Sequence, residues 1–250
     1  MDDATRSRPP AVVTVGDEIL LGEMDNANAR WMLEALRRDG RPAAVALSLP
    51  DEPDAIARWI RALVEAGHQT IFVSGGIGGT HDDRTREGVA RGLGLELRRH
   101  EECFDLLQRK YGERFNAQRQ RMAMLPAGAA LIDNPLGAPG FSVGPVHAFP
   151  GFPSMLQPMM LDVLARTRVD GEGEWASRQA VLACAEGEIA ADVEAFAREL
   201  SEGRLGIYPS SVRFGREVTL RLRCPRSDGR ALARFDELVE RLRRRAPRSS

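Results

Sequence analysis

The sequence predicts an α/β protein, a parallel sheet layered between helices, followed by a smaller α+β unit. Three observations carry this. Short apolar runs, AVVTV at 11–15, AAVALSL at 43–49 and TIFVS at 70–74, each pass through a polar loop into a segment with apolar residues at helical spacing. That alternation builds parallel βαβ units with helices on both faces. The loops richest in glycine and aspartate all follow strands, which puts them at the carboxyl edge where such sheets bind ligands. Beyond residue 178 the order changes to strand, helix, strand, strand, helix.

Taken in order, strand 11–15 ends at Gly16 and leads through GDEILLGEMDNAN to a helix marked by Ala29, Met32, Leu33 and Leu36. Asn26 or Asn28 is its candidate N-cap and Gly40 its stop. Strand 43–49 is broken by Pro50-Asp51-Glu52-Pro53. Asp54 then opens a helix with the stripe Ile56, Trp59, Ile60, Leu63 and Val64, closed by Gly67. Strand 70–74 runs into GGIGGTHDD at 75–83, and helical sequence resumes at Thr85. A helix is predicted over 104–124, an irregular Pro/Gly-punctuated segment over 125–141, a strand in PVHAFP, and a helix over 155–166. The polar stretch 167–177 reads as a boundary between domains 1–168 and 178–250. In the second, QAVLAC, helix 189–200, GIYPS, EVTLRLR and helix 231–245 give the βαββα order of a split-βαβ or KH-like domain.

Composition narrows the function classes. Hydrophobic residues make up 43% and charged residues 28%, with a net charge of −1, which gives bulk charge no leaning toward membranes or nucleic acid. No apolar stretch approaches the ~20 residues that span a bilayer, and MDDATRSRPP has no apolar leader core. Cys103, Cys184 and Cys224 stand far apart in no metal-ligand pattern, so a reducing cytoplasm is the expected compartment. Lys110 is the sole lysine. A P-loop is thereby excluded, and QRKYGERF offers no desolvating pocket for Schiff-base chemistry. His68, His100 and His147 have no convergent partners, and the basic tail RLRRRAPRSS lacks interleaved aromatics.

The loop 75–83 carries the most chemistry. Four glycines between a buried strand and a helix start expose backbone N–H groups where phosphate fits; the alternative is a flexible turn with Asp82 or Asp83 as helix cap. The third glycine of a dinucleotide fingerprint is missing, since His81 stands there. A carboxylate beside a phosphate is repelled by roughly 4 kcal/mol at an effective dielectric of about 20, and a divalent cation reverses that sign. One of Asp82 and Asp83 is therefore expected to cap and the other to meet a metal. Asp17, Glu18 and Asp51 approach from neighbouring strand ends, and Asp17, Asp51, Gly76 and Asp83 are expected at one sheet edge. Gly151-Phe152-Pro153-Ser154 is no nucleophile elbow, and Ser154 reads as an N-cap or phosphate contact.

GDEILLGEMDNAN, PDEPDAI, VSGGIGGTHDD, LPAGA with NPLGAPGF, and FPGFPSM, in that order, resemble the competence/damage-inducible protein A (CinA) family, whose first domain is similar to the molybdopterin-binding proteins MogA and MoaB. The resemblance covers about residues 11 to 166 and extends to a KH-like middle region. It implies a three-layer molybdopterin-binding-like domain and a homo-oligomer. By the same resemblance Asp51 and Asp83 are catalytic, and Gly75, Gly76, Gly78, Thr80, Asn28, Gly151, Pro153 and Ser154 bind the ligand; Gly79, within the same loop, is counted with them. Asp83, Asp82, Asp17 and Glu18 hold a divalent cation (Mg, Mn or Co). Two departures stand out: Gly79 where many relatives have proline, which loosens the loop, and Met155 where many have glutamate. The implied activity is a metal-dependent pyrophosphatase acting on ADP-ribose- or FAD-type dinucleotides. The alternatives are binding and adenylylation of molybdopterin, or a non-catalytic nucleotide- or pterin-binding module. On the hydrolytic reading, Asp83→Asn is expected to remove turnover and spare the fold.

Overall fold

The computed structural model describes residues 8–167, 175–213 and 215–245. The chain divides into two compact units, Met1–Val169 and Asp170–Ser250. Most of the boundary stretch expected at 167–177, and the end of the basic tail, lie outside the described residues.

The first unit alternates β1 (Ala11–Val15), α1 (Asp17–Leu20), α2 (Ala27–Arg38), β2 (Val45–Leu49), α3 (Pro53–Glu65), β3 (Ile71–Ser74) and α4 (Thr85–Leu93). It continues through β4 (Leu97–Arg99), α5 (Glu101–Tyr111), α6 (Ala117–Gln120), β5 (Met124–Pro126), β6 (Ala130–Ile132), β7 (Gly140–Val143), β8 (Val146–Phe149) and α7 (Pro153–Arg166). A six-stranded sheet runs in the order β2-β1-β3-β8-β7-β6. Its first four strands are parallel, with Val13 opposite both Leu47 and Val73, and Val73 opposite Ala148. β7 and β6 extend it antiparallel. The sequence left 125–141 irregular because strands of three or four residues are too short to show a period.

Alternation along the buried strands sorts side chains into two cores. Ala11, Val13, Val15, Ile71 and Val73 face α3, α4 and α5, where they meet Ile56, Ile60, Val89 and Leu107. Val12, Phe72 and Phe149 face the other way, onto Met32, Leu36, Leu156 and Met160 of α2 and α7. Removing each such side chain from water contributes about 1.5–3 kcal/mol, so the sheet is held from both sides. The single helix expected over 104–124 breaks instead. His100 caps α5 at its start by accepting from Cys103 N at 3.2 Å, Gly112 at φ 52 ends it, and Asn116 restarts the chain by accepting from Arg119 N at 3.1 Å.

The second unit comprises β9 (Trp175–Leu182), α8 (Glu186–Arg198), β10 (Arg204–Pro209), β11 (Val218–Pro225) and α9 (Gly229–Arg245). Its antiparallel sheet has the order β10-β11-β9. Leu182, Val218, Leu220 and Leu222 pack on Ile189, Phe196, Phe235 and Leu238, so both helices cover one face of the sheet. No helix among the described residues is long and apolar enough to cross a membrane.

Candidate functional site

A cavity of about 710 Å³, within the roughly 300–1,000 Å³ usual for small-molecule sites, opens at the carboxyl ends of β1, β2, β3 and β8. Its lining combines Gly16 and Glu18, Asn26 and Asn28, Asp51, the loop from Gly75 to Thr80 with Asp82 and Asp83, and Gly151 to Pro153. Asp17 and Ser154 do not line it. Asp17 is a strut: its carboxylate accepts from Asp51 N at 3.2 Å, and the Asp51 carboxylate accepts from Asp17 N at 3.0 Å. Ser154 lies exposed in the first turn of α7, whose N-cap position is Phe152.

The glycine loop is built by backbone necessity. Gly75 has φ 99 and Gly76 φ 65, conformations that side chains disfavour. A Cβ at Gly75 would stand 2.2 Å from the Val15 carbonyl oxygen, and one at Gly76 2.4 Å from Thr85 Oγ1. Thr85 closes the turn, donating from Oγ1 to the Gly75 carbonyl at 2.8 Å and from N to the Gly76 carbonyl at 2.9 Å. Gly79 does not loosen the loop here: a Cβ there would stand 2.3 Å from the Gln118 carbonyl, so the loop is pressed against α6.

Neither aspartate caps the following helix, which begins at Thr85 without a side-chain cap. Asp83 binds its own loop instead, accepting from Gly78 N at 2.6 Å and from Thr80 N at 2.7 Å and Oγ1 at 2.5 Å. On the far side the buried Arg86 donates to the carbonyls of Ile77 and Gly78. Burial draws the Arg86 guanidinium down to about 10, while the Asp83 charge opposes that fall. Two of the loop N–H groups expected to face a phosphate are thus held by Asp83. Among the described residues, those of Gly76, Ile77 and Gly79 have no backbone or side-chain acceptor.

Electrostatically the cavity is one-sided. Glu18, Asp25, Asp51, Asp82 and Asp83 line it, with no lysine, arginine or histidine. Desolvation, with the nearby charges of Asp17, Glu18 and Asp82, raises the Asp51 carboxyl above its usual value despite the hydrogen bond from Asp17 N. Among the described residues no three His, Cys, Asp or Glu side chains are gathered as a preformed metal cage.

Of the two asparagines offered as N-cap, Asn26 takes that role and Asn28 lines the cavity, whereas Arg86 and Lys110 were not anticipated at the site. Asn26 caps α2 by accepting from Ala29 N at 3.0 Å, while its amide donates to Thr14 Oγ1 at 2.8 Å and Ser48 Oγ at 3.0 Å. Asn28 donates to Ser74 Oγ at 3.0 Å and to the Gly151 carbonyl at 2.6 Å, and its Oδ1 is buried without a partner. Lys110 clamps the wall, donating to the carbonyls of Pro135 at 3.2 Å and Gly137 at 2.8 Å. Nothing in the spacing around Arg86 or Lys110 announces these contacts, because their partners lie in loops without periodicity. Burial pushes the Cys103 thiol up to about 11, which leaves it an inert core group.

A sheet layered between helices, with a glycine loop and acidic strand ends around a cavity of small-molecule size at its carboxyl edge, defines the class as α/β. The family model described as "probable molybdopterin binding domain" matches residues 11–169, and the chain belongs to that family. Its CinA branch is marked by two further likenesses. A CinA-like protein of Citrifermentans bemidjiense is 41% identical over 161 residues, 60% of this chain and 38% of that one. A crystal structure of the protein CinA, described as of unknown function, from Thermoplasma acidophilum superposes with a TM-score of 0.59 at 33% identity, covering 64% of this chain and 98% of that chain. A protein of Archaeoglobus fulgidus is 31% identical over 200 residues, 79% of this chain and 84% of that one. The chain spans well under two thirds of the CinA-like relatives it matches.

Proposed function

We propose that the first unit binds a phosphorylated nucleotide or pterin together with a divalent cation, and cleaves the pyrophosphate bond of an ADP-ribose- or FAD-type dinucleotide. The observation that carries this reading is the cavity lining, with five carboxylates, no basic side chain, and unpaired N–H groups at Gly76, Ile77 and Gly79. Each close carboxylate–phosphate pair costs about 4 kcal/mol at an effective dielectric near 20. A few N–H groups do not offset several such pairs, and a cation shared between carboxylates and phosphate oxygens does.

The donor set fits a hard cation of the Mg²⁺ type, which takes one or two carboxylates and completes its shell with water and phosphate oxygens rather than a protein cage. Asp51, with either Asp82 or Glu18, would hold it. Asp83 has one acceptor position left beyond its three loop bonds, and its first role is to shape the cradle. Such a cation would neutralise charge gathering on the phosphoryl oxygens. The chain itself orients the phosphates with the cradle, and Asn28 Oδ1 offers an acceptor to a ligand N–H or O–H.

A non-catalytic binding module is the second reading, favoured by the commitment of Asp83 to its own loop and by Met155 at the mouth where many relatives carry glutamate. A release assay for AMP from ADP-ribose and FAD, titrated with Mg²⁺, Mn²⁺ and Co²⁺, separates them. Metal-dependent AMP release supports hydrolysis. Tight binding without release, under every metal, supports the module.

A further inference from the structure

The cavity of the first unit carries apolar groups at its mouth that phosphate chemistry does not use. Met24, Leu136 and Phe152 line it, yet they are 62%, 61% and 66% exposed. Single exposed apolar side chains are ordinary on a surface, whereas several gathered at one cavity mark a binding area. Phe152 takes no part in either core of this unit, and among the described residues no ring or guanidinium covers its faces. Its backbone is fixed all the same. The Phe152 carbonyl accepts from Met155 N at 3.0 Å and Leu156 N at 2.9 Å as α7 begins, and the Gly151 carbonyl before it accepts from the Asn28 amide at 2.6 Å. Leu136 is held likewise: its N–H donates to Asn134 Oδ1 at 3.1 Å, and Lys110 donates to the carbonyls of Pro135 and Gly137 on either side of it. A Cβ at Gly137 would stand 3.0 Å from Met155 Sδ, so the Leu136 loop leans on the first turn of the helix that Phe152 opens.

We propose that Phe152 is a stacking platform for the heterocyclic ring of the ligand, with Leu136 beside it, so that the site takes a nucleotide with a flat base rather than a sugar phosphate or inorganic pyrophosphate. The inference rests on the phosphate and cation site proposed above for the other half of the ligand. Asp51 follows β2, the glycine loop follows β3 and Phe152 follows β8, in a sheet ordered β2-β1-β3-β8. Neighbouring strands lie about 4.8 Å apart, which sets the acidic end and the phenyl ring about 14 Å from each other. That is the reach of a nucleoside diphosphate laid across the strand ends, phosphates over β3 and base over β8. The cavity of about 710 Å³ exceeds what a diphosphate and a cation fill. Stacking tolerates any base because every base has a π-face. Phe152 therefore selects for a ring and leaves its identity to other contacts.

The test is calorimetric titration of the full chain, in Mg²⁺ and in chelator, with AMP and ribose 5-phosphate, which differ only by the base, and with FMN as a second ring. In wild type, AMP or FMN should bind about 5- to 150-fold more tightly than ribose 5-phosphate. Phe152→Ala should abolish that preference by weakening the ring-bearing probes and leaving ribose 5-phosphate unchanged, and Phe152→Tyr should keep it. Asp51→Asn should weaken all probes alike in Mg²⁺ and leave their ratio intact. A preference shown by FMN and not by AMP supports the platform with a flavin as its ring. A Phe152-dependent preference with no effect of Mg²⁺ on any probe supports the platform and overturns the cation reading. Neither AMP nor FMN exceeding ribose 5-phosphate, or a preference that survives Phe152→Ala, would overturn the platform while a Mg²⁺ effect on ribose 5-phosphate still stood for the phosphate site.

Discussion

Replacing Asp83 by asparagine perturbs a carboxylate that accepts three hydrogen bonds from Gly78 and Thr80 and faces a buried guanidinium. Asparagine has one acceptor oxygen, so its amide nitrogen must face either the Gly78 N–H or the Thr80 pair. Hydrogen bonds to a charged group contribute about 1.5–3 kcal/mol each, and a buried donor left without an acceptor costs about 1–3 kcal/mol. Arg86 also loses its nearest counter-charge. A net loss of about 3 kcal/mol follows, which for a unit of this size lowers Tm by roughly 6–12 °C. Asp82, with its side chain 63% exposed, is the internal control: Asp82→Asn should fall within about 0.5 kcal/mol of wild type. Thermal unfolding in chelator-containing buffer, followed by circular dichroism, reads both without interference from bound ligand. The sequence alone expected Asp83→Asn to spare the fold. An Asp83→Asn Tm equal to that of wild type would restore that expectation and refute the loop-organising role.

Three further outcomes are expected. Gly76→Ala places a methyl 2.4 Å from Thr85 Oγ1 at φ 65; with αL strain of about 1–2 kcal/mol added to the clash, it should destabilise by several kcal/mol in urea titration, whereas a neutral result would show that the loop has another conformation. Burial lowers the His147 imidazole to about 4. An unfolded histidine near 6.5 binds protons that the folded one refuses, so this contribution is whole above pH ~6.5 and is lost as pH falls toward 4, on the order of 3 kcal/mol in all; His147→Gln should flatten the stability–pH curve in that window, as measured by urea midpoints. Lys110→Met frees the carbonyls of Pro135 and Gly137 and should weaken nucleotide binding with a stability loss of about 1–3 kcal/mol, read by calorimetry and thermal melting.

The layer order was legible because it rests on patterns longer than one turn. AVVTV and TIFVS announced β1 and β3, and the Ile56–Ile60–Leu63 stripe announced α3, since a wholly buried parallel strand and a one-sided helix leave opposite periodicities. The antiparallel extension was not legible: β6 and β7 each hold only three or four residues among prolines and glycines, and the sheet edge they join decides their conformation. At the site, residue types could be read and their partners could not. Asp51 and Asp83 stand at the cavity, yet Asp83 turns to its own loop, a choice set by the reach of Gly78 N and Thr80 N. Asp17 turns to Asp51 N instead of the cavity because α1 begins at that residue.

Calorimetric titration of the full chain with ADP-ribose, in Mg²⁺ and again in excess chelator, tests the central claim most directly. A cavity lined by five carboxylates and no base should bind the ligand at least about 100-fold more weakly without the cation, since relief of a single close carboxylate–phosphate repulsion is already worth about 4 kcal/mol. Asp51→Asn should narrow that gap from both sides, weakening binding in Mg²⁺ and strengthening it in chelator. Equal affinity with and without the cation would contradict the account, because the phosphates would then lie away from the acidic strand ends.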